Sequence, residues 1–134
     1  NTSYAEGFGL STLESMMTGT PIIAPKTGGL TRQVVDYRDG SENGVALDID
    51  LKTLVGSQAV PYIYEDYVDN KKIANAIMRL HDMDDVEKRK LSHKVKKYAS
   101  EAFDHETTVG LWHETMLKTM TDFKRRKNWT IEEI

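Results

Sequence analysis

Leu10-Ser11-Thr12-Leu13-Glu14-Ser15-Met16-Met17-Thr18-Gly19-Thr20-Pro21-Ile22-Ile23-Ala24-Pro25 changes its periodicity part-way along. Leu10, Leu13 and Met17 recur at helical spacing, which predicts a short helix with these three inward. Gly19 suits the left-handed position that closes such a helix, and Pro21 bars its continuation. Ile22-Ile23-Ala24, enclosed by Pro21 and Pro25, is then an apolar run too short for a helix and reads as a buried strand. A helix that delivers the chain directly into a buried strand is half of an α/β unit.

The pattern repeats downstream. Thr27-Gly28-Gly29 is a tight loop, and Leu30 to Tyr37 reads as a short helix with Leu30, Val34 and Val35 inward. Gly40 to Gly44 is a turn, and Val45-Ala46-Leu47-Asp48-Ile49 a second strand. Helix, strand, helix, strand with short links predicts an α/β layer with a parallel sheet. In residues 50–68, Ala59 to Tyr64 has strand-like content, but Pro61 argues for an edge or a loop. Tyr62, Tyr64 and Tyr67 either form an exposed aromatic surface or, as the commoner outcome, pack this loop onto the domain. From Asp69 the chain is helical. Ile73, Ile77 and Leu80 make one stripe; Leu91, Val95, Tyr98 and Ala102 make a second, behind a capping box at Asp84 and Glu87. Asp104 caps a third helix with Val109, Trp112, Met116, Met120 and Phe123 inward. Its end meets Lys124 to Lys127, cations that suit the negative end of a helix dipole.

The 134 residues carry 39% hydrophobic and 29% charged side chains, enough for one domain or a large piece of one. A net charge of -3 offers no electrostatic reason to expect nucleic acid. The absence of cysteine excludes a disulfide framework and a thiolate metal site. No apolar run reaches the ~20 residues of a membrane span. Asn1-Thr2-Ser3-Tyr4 is neither a signal peptide nor a start, and a chain that continues upstream is the expectation.

The chemistry is concentrated just before the first helix, in Glu6-Gly7-Phe8-Gly9-Leu10-Ser11. Glycines let backbone approach a ligand closely. The N–H groups that open a helix at Leu10, with its dipole, favour an anion such as phosphate, and Ser11 adds a hydroxyl. The structural alternative is a strand-to-helix turn with Ser11 and Glu14 as a capping box. Glu14 stands at the border of the predicted apolar face, where a carboxylate needs a partner. A ribose offers two adjacent hydroxyls, and one helical turn, ~5 Å, separates it suitably from a phosphate at the helix start. Glu6, before the turn, is placed for hydroxyls beyond a diphosphate.

Glu6 to Glu14 resembles the Glu-x7-Glu motif of retaining GT-B glycosyltransferases, the glycogen-synthase, sucrose-synthase and mannosyltransferase relatives (glycosyltransferase family four, group one). The resemblance runs on through Ser15 to Ala24, Thr27-Gly28-Gly29-Leu30, Val34-Val35-Asp36 and Glu42-Asn43-Gly44. Phe103-Asp104-His105-Glu106 and Trp112 look like the family's closing helix, with His105 where an aromatic is commoner. The resemblance implies part of a Rossmann-like parallel-sheet domain, the C-terminal half of a GT-B fold, over residues 1–103. Residues 104–134 would be a closing helix and basic tail, with an N-terminal acceptor domain outside the chain.

It also implies roles. Glu6 would lie at the reaction centre and is the catalytic candidate. Gly7, Phe8 and Gly9 would meet sugar hydroxyls, Leu10 and Ser11 the diphosphate and nucleoside, and Glu14 the ribose. The substrate would be a nucleotide diphosphate sugar, with transfer to a carbohydrate or lipid-linked acceptor and retention at the anomeric carbon. No metal and no other cofactor are expected, because basic side chains upstream of Asn1 and the helix terminus would stabilise the leaving diphosphate. A cytoplasmic location is the matching expectation. Lys26 and Arg32 are further candidates for anion contacts. Lys124 to Lys127 could touch an anionic membrane, though a solvated helix end is commoner. The competing functions are a non-catalytic nucleotide-sugar-binding or assembly module, and a nucleotide-sugar epimerase.

Overall fold

The computed structural model describes residues 2–124; the basic run beyond Lys124 lies outside the described residues. The order is α1 (Leu10–Met17), β1 (Ile22–Pro25), α2 (Leu30–Val34), β2 (Gly44–Leu47), β3 (Leu51–Leu54), β4 (Tyr64–Tyr67), α3 (Asn70–Asp82), α4 (Asp85–Ala102) and α5 (His105–Asp122). The chain divides into one unit ending at Ala102 and a second beginning at Phe103.

The first unit is α/β. β1 and β2 pair in parallel, Ile22 opposite Gly44 and Pro25 opposite Leu47. The expected parallel strands are therefore present. β2 is two residues shorter at its end than Val45–Ile49, because Asp48 and Ile49 turn the chain toward a hairpin. β3 and β4 form that hairpin, antiparallel, with Leu51 opposite Tyr67 and Leu54 opposite Tyr64. The strand-like run from Ala59 is thus loop until Tyr64. Pro61 has no N–H for a ladder, and Tyr62 takes a left-handed φ of 65°.

Several inward faces differ from the periodic reading. On α1 the buried residues are Thr12, Leu13 and Met16, whereas Leu10 is 68% exposed and Met17 also faces solvent. The face is turned because α1 packs on α2 and α4, and because Thr12 can bury its hydroxyl against polar partners. α2 stops at Val34; Val35 is extended and bridges to Glu42, and the third buried position belongs to Gln33. On α3, Ala76 is buried and Ile77 exposed. The small side chain lets α3 lie close to Val45 and Leu47, with Ile73 and Leu80 flanking. α4 carries the expected capping box: Asp84 Oδ1 accepts from Glu87 N–H at 2.8 Å and Glu87 reaches back to Asp84 N–H. Val95, Tyr98 and Ala99 are its buried face. Tyr62 and Tyr64 project into solvent rather than packing the loop down.

An ion cluster ties the loop after α2 to α4. Asp36, 3% exposed, accepts from Arg38 Nη2 at 2.8 Å and Nε at 3.0 Å, while Arg38 Nη1 donates to Glu101 at 2.7 Å. The Arg38 hydrogen bonds hold the Asp36 carboxyl below its ordinary value against the opposing effect of burial. A carboxylate whose pKa is lowered by folding stabilises above its unfolded value and ceases to do so as pH falls through the folded one. Asp36→Asn is accordingly expected to cost about 1–2 kcal/mol at neutral pH, discounted for the half-exposed Arg38. The gap from wild type should close below about pH 4. Urea unfolding of both proteins across pH 3–7 measures it; a gap that stays constant with pH contradicts the account.

The second unit is α5, capped by Asp104, whose carboxylate accepts from Thr107 N–H at 2.7 Å. The cap is as expected, but the inward face is not: Val109, Trp112, Met116, Met120 and Phe123 are all exposed. Within the described residues this helix buries none of its own side chains. No helix there is long and apolar enough to cross a membrane.

Candidate functional site

The turn from Glu6 to Gly9 is held by the loop before α2. Gly29 N–H donates to the Glu6 carbonyl at 3.3 Å. A Cβ at Gly28 would stand 1.8 Å from the same oxygen, and one at Gly29 would stand 2.6 Å from the Gly7 carbonyl oxygen and from Phe8 Cα. The two glycine-containing segments thus lie backbone against backbone. Gly28 is left-handed, φ +46°.

Gln33 completes the seat. Fully buried on α2, it donates from Nε2 to the Phe8 carbonyl at 2.6 Å, and its Oε1 lies 2.5 Å from the Thr12 hydroxyl. That hydroxyl is also 2.7 Å from the Gly9 carbonyl. Sequence reasoning does not single out Gln33. The available signal is a polar residue between Leu30 and Val34 on the side of α2 that should be apolar.

α1 then begins without a side-chain cap. Gly9 is its N-cap in a left-handed conformation, φ 86° and ψ 61°. Ser11 and Glu14 do not form a capping box there. The first backbone bond of the helix runs from Leu13 N–H to the Gly9 carbonyl at 3.1 Å. The preceding N–H groups of Leu10, Ser11 and Thr12 are the ones a helix start leaves unpaired, and they carry the positive end of its dipole.

All seven candidate residues occupy this one edge. Glu6 is half-buried, Gly7 and Phe8 are exposed, and Gly9 is buried. Leu10, Ser11 and Glu14 are exposed together on the solvent side of α1. Glu14 therefore does not border the buried stripe; it lies one turn beyond Leu10 on the open face. No Lys or Arg is ion-paired with Glu6 or Glu14 among the described residues. Lys26 is engaged with Asp48 at 2.7 Å, and Arg32 lies over the Tyr37 ring at 4.6 Å.

The edge is open rather than enclosed. A hollow of about 400 Å³ does lie at the carboxyl ends of β1 and β2, between Tyr4, Pro25, Leu47, Asp66 and Tyr67, but none of the seven lines it.

Residues 1–49 match the sequence model of the glycosyl transferases group 1 family. The match is confined to this segment, a little over a third of the chain. Its boundaries take in the turn, α1, β1, α2 and β2, the elements just described. The chain is similar to D-inositol 3-phosphate glycosyltransferases of several bacteria. One from an Arthrobacter species is 50% identical over 38 residues, 28% of this chain and 9% of the relative. One from Acidothermus cellulolyticus is 50% identical over 46 residues, 34% and 9% respectively. One from Nocardiopsis dassonvillei is 53% identical over 38 residues, 28% and 9%. The matched stretch thus spans about a tenth of each relative's length. No solved structure matches the chain.

Proposed function

We propose that this chain carries the donor-binding half of the site of a retaining glycosyltransferase. The intact protein would transfer a sugar from a nucleotide diphosphate sugar to an acceptor hydroxyl. The observation that carries the reading is the uncapped start of α1, which opens on exposed Leu10, Ser11 and Glu14 within the segment that matches glycosyl transferases group 1. Gly7 adds to it. A Cβ there would meet nothing within 4 Å, so the surrounding protein gives no steric reason for glycine, whereas a sugar against the backbone would.

In this reading the diphosphate sits at the N–H groups of Leu10 and Ser11, where the helix dipole favours negative charge. Charge builds on that diphosphate as the glycosidic bond breaks, so these donors act more strongly in the transition state than in the ground state. Glu14, one turn along, accepts from the ribose hydroxyls. Glu6, with Gly7, Phe8 and Gly9, faces the transferred sugar; it stabilises the reacting centre and is not assigned as a nucleophile. No metal is needed, the remaining positive charge coming from basic side chains outside the chain. Residues 1–103 would belong to the donor domain of a GT-B fold and residues 104–134 to its closing helix and tail. The exposed apolar side chains of α5 agree with a partner surface in an N-terminal acceptor domain.

Glu14→Ala in the protein that carries this chain is expected to weaken nucleoside diphosphate binding about tenfold, the loss of a charge-assisted pair of hydrogen bonds. Glu6→Ala should leave that binding intact and lower kcat by roughly a hundredfold or more. Calorimetric titration and initial rates with a panel of labelled nucleotide sugars measure both. If the two variants bind and turn over like wild type, the division of labour is wrong. Epimerised donor as the product would replace transfer by isomerisation.

A further inference from the structure

We propose that the β3–β4 hairpin is a positioning element for the Glu6 end of the turn, acting through Asp66. Asp66 is 8% exposed and lies on β4 opposite Lys52. Its backbone N–H donates to the Tyr4 carbonyl at 2.8 Å, and its Oδ2 accepts from the Thr27 hydroxyl at 2.7 Å. Tyr4 stands two residues before Glu6. Thr27, itself 5% exposed, stands immediately before Gly28, whose backbone abuts the Glu6 carbonyl. One residue of the hairpin therefore holds both chain segments that bracket Glu6.

Two further contacts hold Asp66 in place. The Tyr67 ring stacks on Tyr4 with centroids 4.4 Å apart, which fixes the N-terminal segment against β4. Asp66 Oδ1 is buried and receives no hydrogen bond; its counter-charge is Lys52 Nζ at 3.4 Å. A buried carboxylate so placed resists movement, because displacing it from Thr27 and Lys52 would leave it uncompensated. Neither of Asp66's bonds to the turn region reaches α1, where Gln33 does the holding. The hairpin thus bears on Glu6 and leaves the helix start to α2.

The kinetic consequence rests on the glycosyl-transfer reading; the structural one does not. Asp66→Ala and Asp66→Asn, made in the protein that carries this chain, separate the two. Asp66→Ala is expected to lower kcat for sugar transfer roughly tenfold or more, as small misplacements of a reacting group do. Nucleoside diphosphate affinity should stay within about twofold, since the helix start is held independently. Asp66→Asn keeps an oxygen for the Thr27 hydroxyl and should recover most of the rate. By hydrogen exchange, Asp66→Ala should speed the Gly29 amide, which donates to the Glu6 carbonyl, and spare those of β1 and α4. An unchanged kcat, or equal losses in both variants with exchange raised uniformly, would overturn the proposal. A wild-type protein that neither binds nor transfers a nucleotide sugar would sink the glycosyl-transfer reading instead, and the exchange pattern would still decide the brace.

Discussion

Gly28→Ala is expected to abolish nucleoside diphosphate binding and to cost about 3 kcal/mol of stability, the upper end for a strained backbone site. The added Cβ would lie 1.8 Å from the Glu6 carbonyl oxygen and 3.0 Å from its carbon. Both are main-chain atoms, so no side-chain rotation relieves the clash; the turn itself must move, by roughly 1 Å or more, to restore an ordinary contact distance. The left-handed φ of +46° adds a penalty of roughly 1–2 kcal/mol for any residue with a Cβ. A forced shift of that size, unlike the loosening expected of Asp66→Ala, is more than the single Gln33 bond to Phe8 can absorb, and it carries through Gly9 to the helix start. Gly7→Ala is the informative control. It meets no protein atom within 4 Å and is not left-handed, so its stability should match wild type within about 0.5 kcal/mol. If a sugar lies against this backbone, Gly7→Ala should nonetheless weaken donor binding. Thermal unfolding and calorimetric titration of the two variants side by side decide it; a Gly28→Ala protein that binds normally refutes the interlocked geometry.

Gln33→Leu should destabilise the chain by about 2 kcal/mol, although it puts an apolar residue in a buried place. The Phe8 carbonyl loses its Nε2 donor at 2.6 Å, a part-buried hydrogen bond worth about 1 kcal/mol. The Thr12 hydroxyl still has the Gly9 carbonyl at 2.7 Å, so its share of the loss is small. The branched side chain adds a packing term of roughly 1 kcal/mol at a fully buried site. Gln33→Glu sharpens the assignment. It keeps an acceptor for Thr12 but sets an oxygen against the Phe8 carbonyl, so it should be at least as damaging as Gln33→Leu at neutral pH. On acidification the introduced carboxyl takes up a proton and regains a donor for Phe8, and part of the loss should return. Urea unfolding at pH 4 and pH 7 measures it; a Gln33→Glu protein as stable as wild type at both contradicts the assigned bond.

Much of this was legible because local rules and the fold agree. Gly19 and Pro21 end α1 where their backbone preferences require, and Ile22 to Ala24 becomes a buried parallel strand because nothing polar interrupts it. Asp84 and Asp104 cap helices because their carboxylates reach N–H groups two or three residues on, and Glu87 reaches back three residues to the Asp84 N–H. The errors in the inward faces of α1 and α3 share one cause. Helical spacing places residues on a common face but does not say which flank of that face is covered. Leu10 and Met17 fit the stripe of α1, yet α2 and α4 cover the flank bearing Thr12 and Met16. Ile77 fits the stripe of α3, yet close approach to β2 selected Ala76.

For this protein the sequence alone determined the α/β order, the helix caps and the place of the glycine turn, because each depends on contacts a few residues apart. It also placed Glu6 and Glu14 on either side of a helix start. Only the tertiary structure decided that Gln33 and Asp66 hold that turn. Gln33 reaches back to Phe8 from α2, and Thr27 reaches forward to Asp66 on β4, each across several intervening elements or turns. Such bonds are set by which elements pack together, and a buried polar side chain has no local partner to announce it. The exposure of Glu14 is of the same kind: its face of α1 is open because the helices that cover α1 lie on the other side.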